Sequence, residues 1–279
     1  MKLVTFEQGG RGERPGLIGD GGIVDLSAEG FRDAIAFMTA PASVRTDVAK
    51  KKPSVALDGV KLKAPVPAPP CIFGIGVNYA EHAAESQVET QKVPTVFIVL
   101  SSAVVGPGDD VILPKASTMV DYEAELAVVI GKPGYQIPAA QAMDHVFGYT
   151  IMNDVSARDV QRATTQWSLG KSFPTFAPLG PWVVSKDEVA DPHALGISLT
   201  IGSEKLQDSN TSLLIFKIPA LIEYISGITP LQVGDIISTG TPAGVGMGRN
   251  PQRWLNPGEE MVVRIDKVGE LRNKLVAEK

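Results

Sequence analysis

Asp121-Tyr122-Glu123-Ala124-Glu125-Leu126-Ala127-Val128-Val129-Ile130 begins as alternating acids and small residues and ends as a purely aliphatic run. The pattern predicts a strand, in which residues two apart share a face with Cα atoms about 6.6 Å apart. Glu123 and Glu125 then point the same way, alongside Ala127 and Val129. Tyr122, Ala124, Leu126, Val128 and Ile130 take the opposite face, so both faces look covered. Two like charges on such a strand repel and lose hydration, and one protonates unless a cation sits between them. The alternative is a strand end at which both acids reach water.

A third oxygen ligand stands downstream. Asp154 closes the apolar run 146–152, in Asn153-Asp154-Val155-Ser156. Asp159 has a structural explanation, since Ser156-Ala157-Arg158-Asp159 reads as a capping box opening a helix over 157–167. Asp154 has none, except as an alternative cap. Three carboxylates with open positions favour a hard divalent cation, Mg²⁺ first, with Mn²⁺ or Ca²⁺ as alternatives. Zinc fits poorly. The chain has three histidines, His82, His145 and His193, so a three-His site would use every one. The single cysteine, Cys71, excludes an internal disulfide and a Cys-rich zinc site.

Asn78-Tyr79-Ala80-Glu81-His82-Ala83-Ala84-Glu85 reads as a short helix, part of a helical pattern over 79–86. His82 and Glu85 share one of its faces. A Glu that orients an imidazole whose other nitrogen takes a proton is an acid/base pair. A contact on the helix surface is the alternative, and Glu81 reads as solvated. His145 and His193 read as structural. Lys171, on a turn in Gly170-Lys171-Ser172-Phe173-Pro174, Gln161 on the capped helix and Thr241 in Gly240-Thr241-Pro242-Ala243-Gly244 carry nothing in isolation.

The wider chain frames these groups. It has 279 residues, 44% hydrophobic and 20% charged, with 28 glycines and 21 prolines, as in a loop-rich and strand-rich globular protein. Strands are predicted at 95–100, 122–130, 146–152, 182–184, 197–201, 235–238 and 261–265, and helices are fewer, the third covering 216–226. Alternating βαβ units are missing, so the expectation is an α+β fold dominated by β structure. Asp20-Gly21-Gly22 marks a hairpin turn and residues 34–38 a short helix. The Pro-dense stretch 62–70 is an extended connector, which divides the chain into a small N-terminal accessory domain, 1–65, and a catalytic domain, 66–279. Gly74-Ile75-Gly76 and Gly244-Val245-Gly246-Met247-Gly248 lack the endings of nucleotide fingerprints and read as tight turns. A net charge of −5, with no basic run longer than Lys50–Lys52, argues against nucleic acid. No apolar stretch is long enough for a membrane span, and the acid at Glu7 comes too early for a secretory signal, so the cytoplasm is the default.

Taken together, the motifs resemble the fumarylacetoacetate hydrolase family over roughly residues 70–275. The matching segments are Gly76-Val77-Asn78-Tyr79 with His82 and Glu85, and Asp121-Tyr122-Glu123-Ala124-Glu125-Leu126. Gly148-Tyr149-Thr150, Asn153-Asp154-Val155-Ser156-Ala157-Arg158-Asp159 and Gly170-Lys171-Ser172-Phe173 follow. Gly234-Asp235-Ile236-Ile237 and Thr239-Gly240-Thr241-Pro242-Ala243-Gly244-Val245-Gly246 complete the set. The resemblance implies a mixed β-roll catalytic domain behind a small N-terminal α+β domain, usually as a homodimer. It makes Glu123, Glu125 and Asp154 the Mg²⁺ ligands and His82 the general base, paired with Glu85. Lys171 and Gln161 would contact substrate near the metal, Thr241 would bind its carboxylate or oxo end, and Arg158 and Thr175 would support the site.

Two positions depart from that pattern. Val99 stands where many members carry a lysine two residues after the phenylalanine matching Phe97, which points away from a doubly anionic, oxaloacetate-like substrate. Pro174 replaces the aspartate common after Lys-Ser-Phe. The activity expected from the resemblance is Mg²⁺-dependent hydrolysis of a carbon–carbon bond in a 2,4-dioxo acid, of the acylpyruvate or fumarylpyruvate type, to pyruvate and a carboxylic acid. Degradation of aromatic compounds or of sugar acids yields such substrates. The same site could instead serve oxaloacetate decarboxylation, isomerisation of a 2-hydroxy-diene-dioate, or ureidoglycolate-type lyase chemistry. A catalytically silent member that only binds an oxo acid is the alternative of a different class.

Overall fold

A computed structural model describes residues 1–85 and 91–279. Its spine is a mixed sheet whose strands neighbour one another in the order Val55–Ala56, Gly22–Asp25, Arg11–Gly19, Lys2–Gln8, Ala177–Ser185, Val146–Asn153, Ala124–Ile130, Ile236–Ser238, Ile72–Gly76, Thr95–Val99. A second sheet runs Glu204–Asn210, Gly196–Ile201, Glu260–Ile265, Gly269–Ala277, Val111–Leu113, and packs on the first. The fold is therefore β-dominated α+β with mixed sheets. Among the described residues no helix is long and apolar enough to cross a membrane.

The antiparallel hairpin of Ala124–Ile130 and Val146–Asn153 lies at the centre, and every residue of both strands is buried. Strand alternation explains its use of two faces. Ala124, Leu126, Val128 and Ile130 join the core between the sheets, with Leu199, Val263 and Leu271. Ala127 and Val129 pack on the other side, Val129 against Phe37 and Val183. Residues 1–65 contribute strands to the same sheet, since Leu3 of Lys2–Gln8 pairs with Val183 of Ala177–Ser185. Asp20-Gly21 turns the hairpin between Arg11–Gly19 and Gly22–Asp25, with Gly21 in the left-handed region at φ 79°.

Three local expectations are corrected. The helix placed over 157–167 is only the turn Arg158–Gln161, and its N-cap Ala157 makes no side-chain bond. The capping box does not form. Ser156 Oγ donates to Asp154 O, while Asp159 Oδ1 accepts from Ser117 Oγ at 2.6 Å and Oδ2 from the Thr118 N–H at 3.1 Å. Gly74-Ile75-Gly76 is not a turn but the end of the strand Ile72–Gly76. A Cβ on Gly74 would stand 2.2 Å from the Phe97 ring, and one on Gly76 2.1 Å from Trp167, so these glycines admit aromatic rings. The helical pattern over 79–86 becomes Ala80–Glu85, and Ser86 lies outside the described residues.

Candidate active site

The polar groups gather where the central hairpin opens. Glu123 sits just before Ala124–Ile130, and Asp154 just after Val146–Asn153, so the pairing of Ala124 with Asn153 brings both acids to one end. The Asn153 side chain accepts from the Glu123 N–H at 3.0 Å, and the Asp154 N–H donates to Glu123 O at 2.9 Å. Glu125 lies on the same face of the strand. The carboxylates of Glu123, Glu125 and Asp154, at most 4% exposed, have oxygens within 4.8 Å of one another.

Counterions surround them. Lys171 Nζ donates to Glu123 Oε2 and to Asp154 Oδ2, both at 2.6 Å. Arg158 Nη2 donates to Glu123 Oε1 at 2.6 Å, its Nε to Asp121 Oδ2 at 2.9 Å, and its Nη1 to Gln161 Oε1 at 3.0 Å. The turn lysine is thus fully buried, at 2% exposure. Burial opposes its charge, but Asp154 and Glu123 outweigh that and raise its pKa. Burial likewise works to raise the Glu123 carboxyl, yet Arg158, Lys171 and His82 hold it below the usual range. Glu125 behaves oppositely. Burial, then Asp154 and Glu123, push its pKa well up, although Ser238 Oγ at 2.6 Å and the Gly240 N–H at 2.9 Å donate to its Oε2. Asp154 is raised too, by burial against the pull of Lys171.

These residues fit a divalent cation. Among the described residues the ion pairs of Asp121, Glu123, Glu125 and Asp154 are with Arg158 and Lys171, which leaves a surplus of negative charge when all four acids are ionised. Asp154 Oδ1 is buried and has no hydrogen-bond partner among the described residues, an expensive state for a carboxylate oxygen unless a ligand meets it. An all-oxygen donor set suits Mg²⁺, Mn²⁺ or Ca²⁺.

Two of these acids, Glu123 and Glu125, line a cavity of about 600 Å³, counting its solvent-open part, together with His82, Arg158, Gln161, Lys171 and Thr241. His82 is 6% exposed, and its Nδ1 lies 3.3 Å from Glu85 Oε2. Glu85 is itself fixed, because the Gly244 N–H donates to its two oxygens at 3.0 and 3.1 Å. A Cβ on Gly248 would stand 2.2 Å from Glu85 Cγ, so the glycine-rich segment forms the seat of this acid. The Thr241 hydroxyl donates to Ala124 O and accepts from Gln207 Nε2, which leaves its proton committed within the fold. Thr175 is not among the cavity's lining residues, and its hydroxyl accepts from the Ile112 N–H. Val99 is buried in the apolar cluster of Phe97 and Ile72. His145 and His193 bond to backbone, at Lys132 O and the Ile218 N–H.

Several contributors carry no local signal. Asp121 accepts from the N–H groups of Gly246 and Met247 as well as from Arg158, and so ties the glycine-rich segment to the acidic cluster. The Asn78 side chain donates to Phe216 O and Thr239 O and accepts from the Phe216 N–H. Its neighbour Val77, on the cavity wall, has φ 44°, a strained conformation for a β-branched residue. Arg162, Trp167 and Met247 complete the wall. Their partners lie far away in sequence, so only the assembled fold reveals them.

Comparison with known proteins agrees with this arrangement. The family described as fumarylacetoacetate hydrolase, C-terminal, matches residues 71–276. The mitochondrial oxaloacetate tautomerase Fahd2a of Rattus norvegicus is 44% identical over 291 residues, covering 99% of this chain and 92% of its own. Maleylpyruvate hydrolase of Sphingobium sp. SYK-6, in complex with manganese(II) ion and pyruvate, is 31% identical with a TM-score of 0.85, each chain covered in full. A 5-carboxymethyl-2-hydroxymuconate delta-isomerase of Mycobacterium smegmatis is 32% identical with a TM-score of 0.81, again in full.

Proposed function

The chain belongs to the fumarylacetoacetate hydrolase family, and on that premise we propose that it interconverts the keto and enol forms of oxaloacetate, with a divalent cation held by Glu123, Glu125 and Asp154. The observation that carries this reading is that His82, held by Glu85, lines one cavity with Glu123 and Glu125, which cluster with Asp154. The relative aligned over nearly the whole chain bears the name of that activity. Every residue lining the cavity lies between Ile75 and Met247, so residues 66–279 carry the reaction and residues 1–65 are accessory.

When bound, the cation supplies Lewis-acid polarisation of the 2-oxo and adjacent carboxylate oxygens. His82 takes a proton from C3 and returns one to the C2 oxygen, which balances the conversion of ketone to enol. Glu85 holds the ring from the Nδ1 side, leaves Nε2 as the working nitrogen and stabilises the imidazolium. Lys171 stabilises charge that grows on the oxygen. Arg158 occupies Gln161 Oε1, so the amide nitrogen of Gln161 is the end left to donate to substrate.

The His82–Glu85 pair also favours a second reading, hydrolysis of a 2,4-dioxo acid. There His82 takes a proton from water, the water oxygen bonds to C4, and the C3–C4 bond breaks. C3 is then protonated, giving pyruvate and a carboxylic acid. Following enol absorbance with oxaloacetate and with a panel of acylpyruvates separates the two, using Mg²⁺, chelator and His82→Ala. Faster cation-dependent ketonisation of oxaloacetate without release of pyruvate, lost in His82→Ala, is the expected result. Pyruvate plus a carboxylic acid from an acylpyruvate would move the function to the hydrolase. Pyruvate from oxaloacetate, or undiminished turnover by His82→Ala, would overturn the tautomerase scheme.

A further inference from the structure

We infer that Arg162 selects a doubly charged substrate, its guanidinium receiving the carboxylate remote from the acidic cluster. This rests on the reading above that a 2-oxo acid occupies the cavity. The other cationic groups on the wall are each tied to an acid of the cluster or to Glu85. Arg158 divides its nitrogens among Asp121, Gln161 and Glu123, and Lys171 bridges Glu123 and Asp154. The Nδ1 atom of His82 faces Glu85.

Arg162 differs from all three. It ends the turn Arg158–Gln161, with its backbone N–H donating to Arg158 O at 3.0 Å. It lines the same cavity and is exposed, and among the described residues its side chain has no ion pair or hydrogen bond. The cavity's apolar lining includes the Phe97 and Trp167 rings, which meet edge to face at 5.7 Å, and Met247. These three side chains offer a substrate carboxylate nothing to bond and the Gln161 amide offers no charge, whereas a guanidinium binds one through two parallel charge-assisted hydrogen bonds. Val99, buried in its apolar cluster, supplies no charge to this wall. The preference for a second carboxylate therefore falls to Arg162, and a 2-oxo diacid is the class of ligand that uses both ends of the cavity.

The test compares oxaloacetate with 2-oxosuccinamate, which has nearly the same shape but an uncharged amide at the far end. The full chain with Mg²⁺, Arg162→Gln and Arg162→Lys are each assayed for kcat/KM and, by calorimetry, for the Kd of both compounds. In Arg162→Gln, KM and Kd for oxaloacetate should rise about tenfold or more, the effect of losing a charge-assisted pair. The values for 2-oxosuccinamate should stay within about twofold, and Arg162→Lys should recover part of the loss because it restores the charge without the fork. Equal losses for the two compounds, or none, would overturn the assignment. Should the wild type turn over neither compound yet bind oxaloacetate more tightly, with Arg162→Gln erasing that preference, the tautomerase reading would fall and the carboxylate seat would stand. Equal wild-type affinity for the two would remove the seat whatever the turnover.

Discussion

The central hairpin is equally buried at its two ends and chemically opposite at them. At one end Val128, Ile130 and Tyr149 are at most 1% exposed and pack into the core between the sheets. At the other, Glu123, Glu125 and Asp154 are buried to much the same degree, with like charges side by side. Burial is therefore not one kind of energy along this strand pair. The apolar end is stabilised by what it excludes. The acidic end is tolerated because Arg158, Lys171, Ser238 and the Gly240 N–H surround it, and it still keeps a surplus of negative charge. An end held that way is poised for a cation rather than for stability.

One substitution at each end would break that contrast if it is wrong. Arg158→Ala strips Asp121 of its buried ion-pair partner and Glu123 of one of its two, and should cost about 3–5 kcal/mol of unfolding free energy in urea. Leu126→Ala, at the first inward position of the apolar half, should cost about 2–5 kcal/mol, through lost burial and a cavity. The two losses differ in kind. Saturating Mg²⁺ should return part of the Arg158→Ala loss and none of the Leu126→Ala loss. Equal recovery of both would mean that the two ends are not distinct.

Removing a carboxylate sharpens the comparison from the other direction. Glu125 is the acid whose ionisation is opposed, by burial first and then by Asp154 and Glu123. Without a divalent cation, Glu125→Gln should leave the unfolding midpoint unchanged or higher. In the wild-type chain a cation at about a hundred times its Kd should add about 2.7 kcal/mol, and Glu125→Gln should abolish most of that increment. Thermal and urea melts with and without Mg²⁺ read both effects. A Glu125→Gln chain that keeps the full increment would place the cation elsewhere.

The same contrast explains what the sequence could and could not show. Strand alternation alone put Glu123 and Glu125 on one face and the aliphatic residues on the other, because that periodicity is local. Asp154 was visible because nothing nearby used it. The helix over 157–167 failed since Asp159, besides accepting the Val160 N–H, is held by Ser117 and Thr118, some forty positions earlier, and does not close a capping box. Lys171, on its turn, carried nothing in isolation, since burial on two distant carboxylates leaves no trace beside it; only the family resemblance marked it. Gly74 and Gly76 followed the turn habit of glycine until Phe97 and Trp167 were seen to need their missing side chains. Asp121, Asn78 and Gln207 act through bonds to segments across the fold, and no pattern around them announces it.

His193 offers the smallest effect and a control outside the hairpin. Its Nε2 accepts the Ile218 N–H at 3.1 Å, at the start of the helix Ile218–Ser226. Burial, and then the charge of Lys217, hold its pKa below the ordinary 6.5, outweighing Asp191. The folded chain thus binds fewer protons here than the unfolded one. The stability this group contributes is complete above about pH 6.5 and is lost as pH falls through the depressed folded value, where Nε2 gains a proton and can no longer accept. Urea unfolding across pH 5.5 to 7.5, with Mg²⁺ saturating so that the acidic cluster stays ionised, should show a shallow decline toward acid. His193→Gln keeps a non-titrating acceptor for the Ile218 N–H and should flatten it. A decline that survives in His193→Gln would assign the acid sensitivity to the carboxylate end of the hairpin, and would show that its cation does not keep those groups ionised.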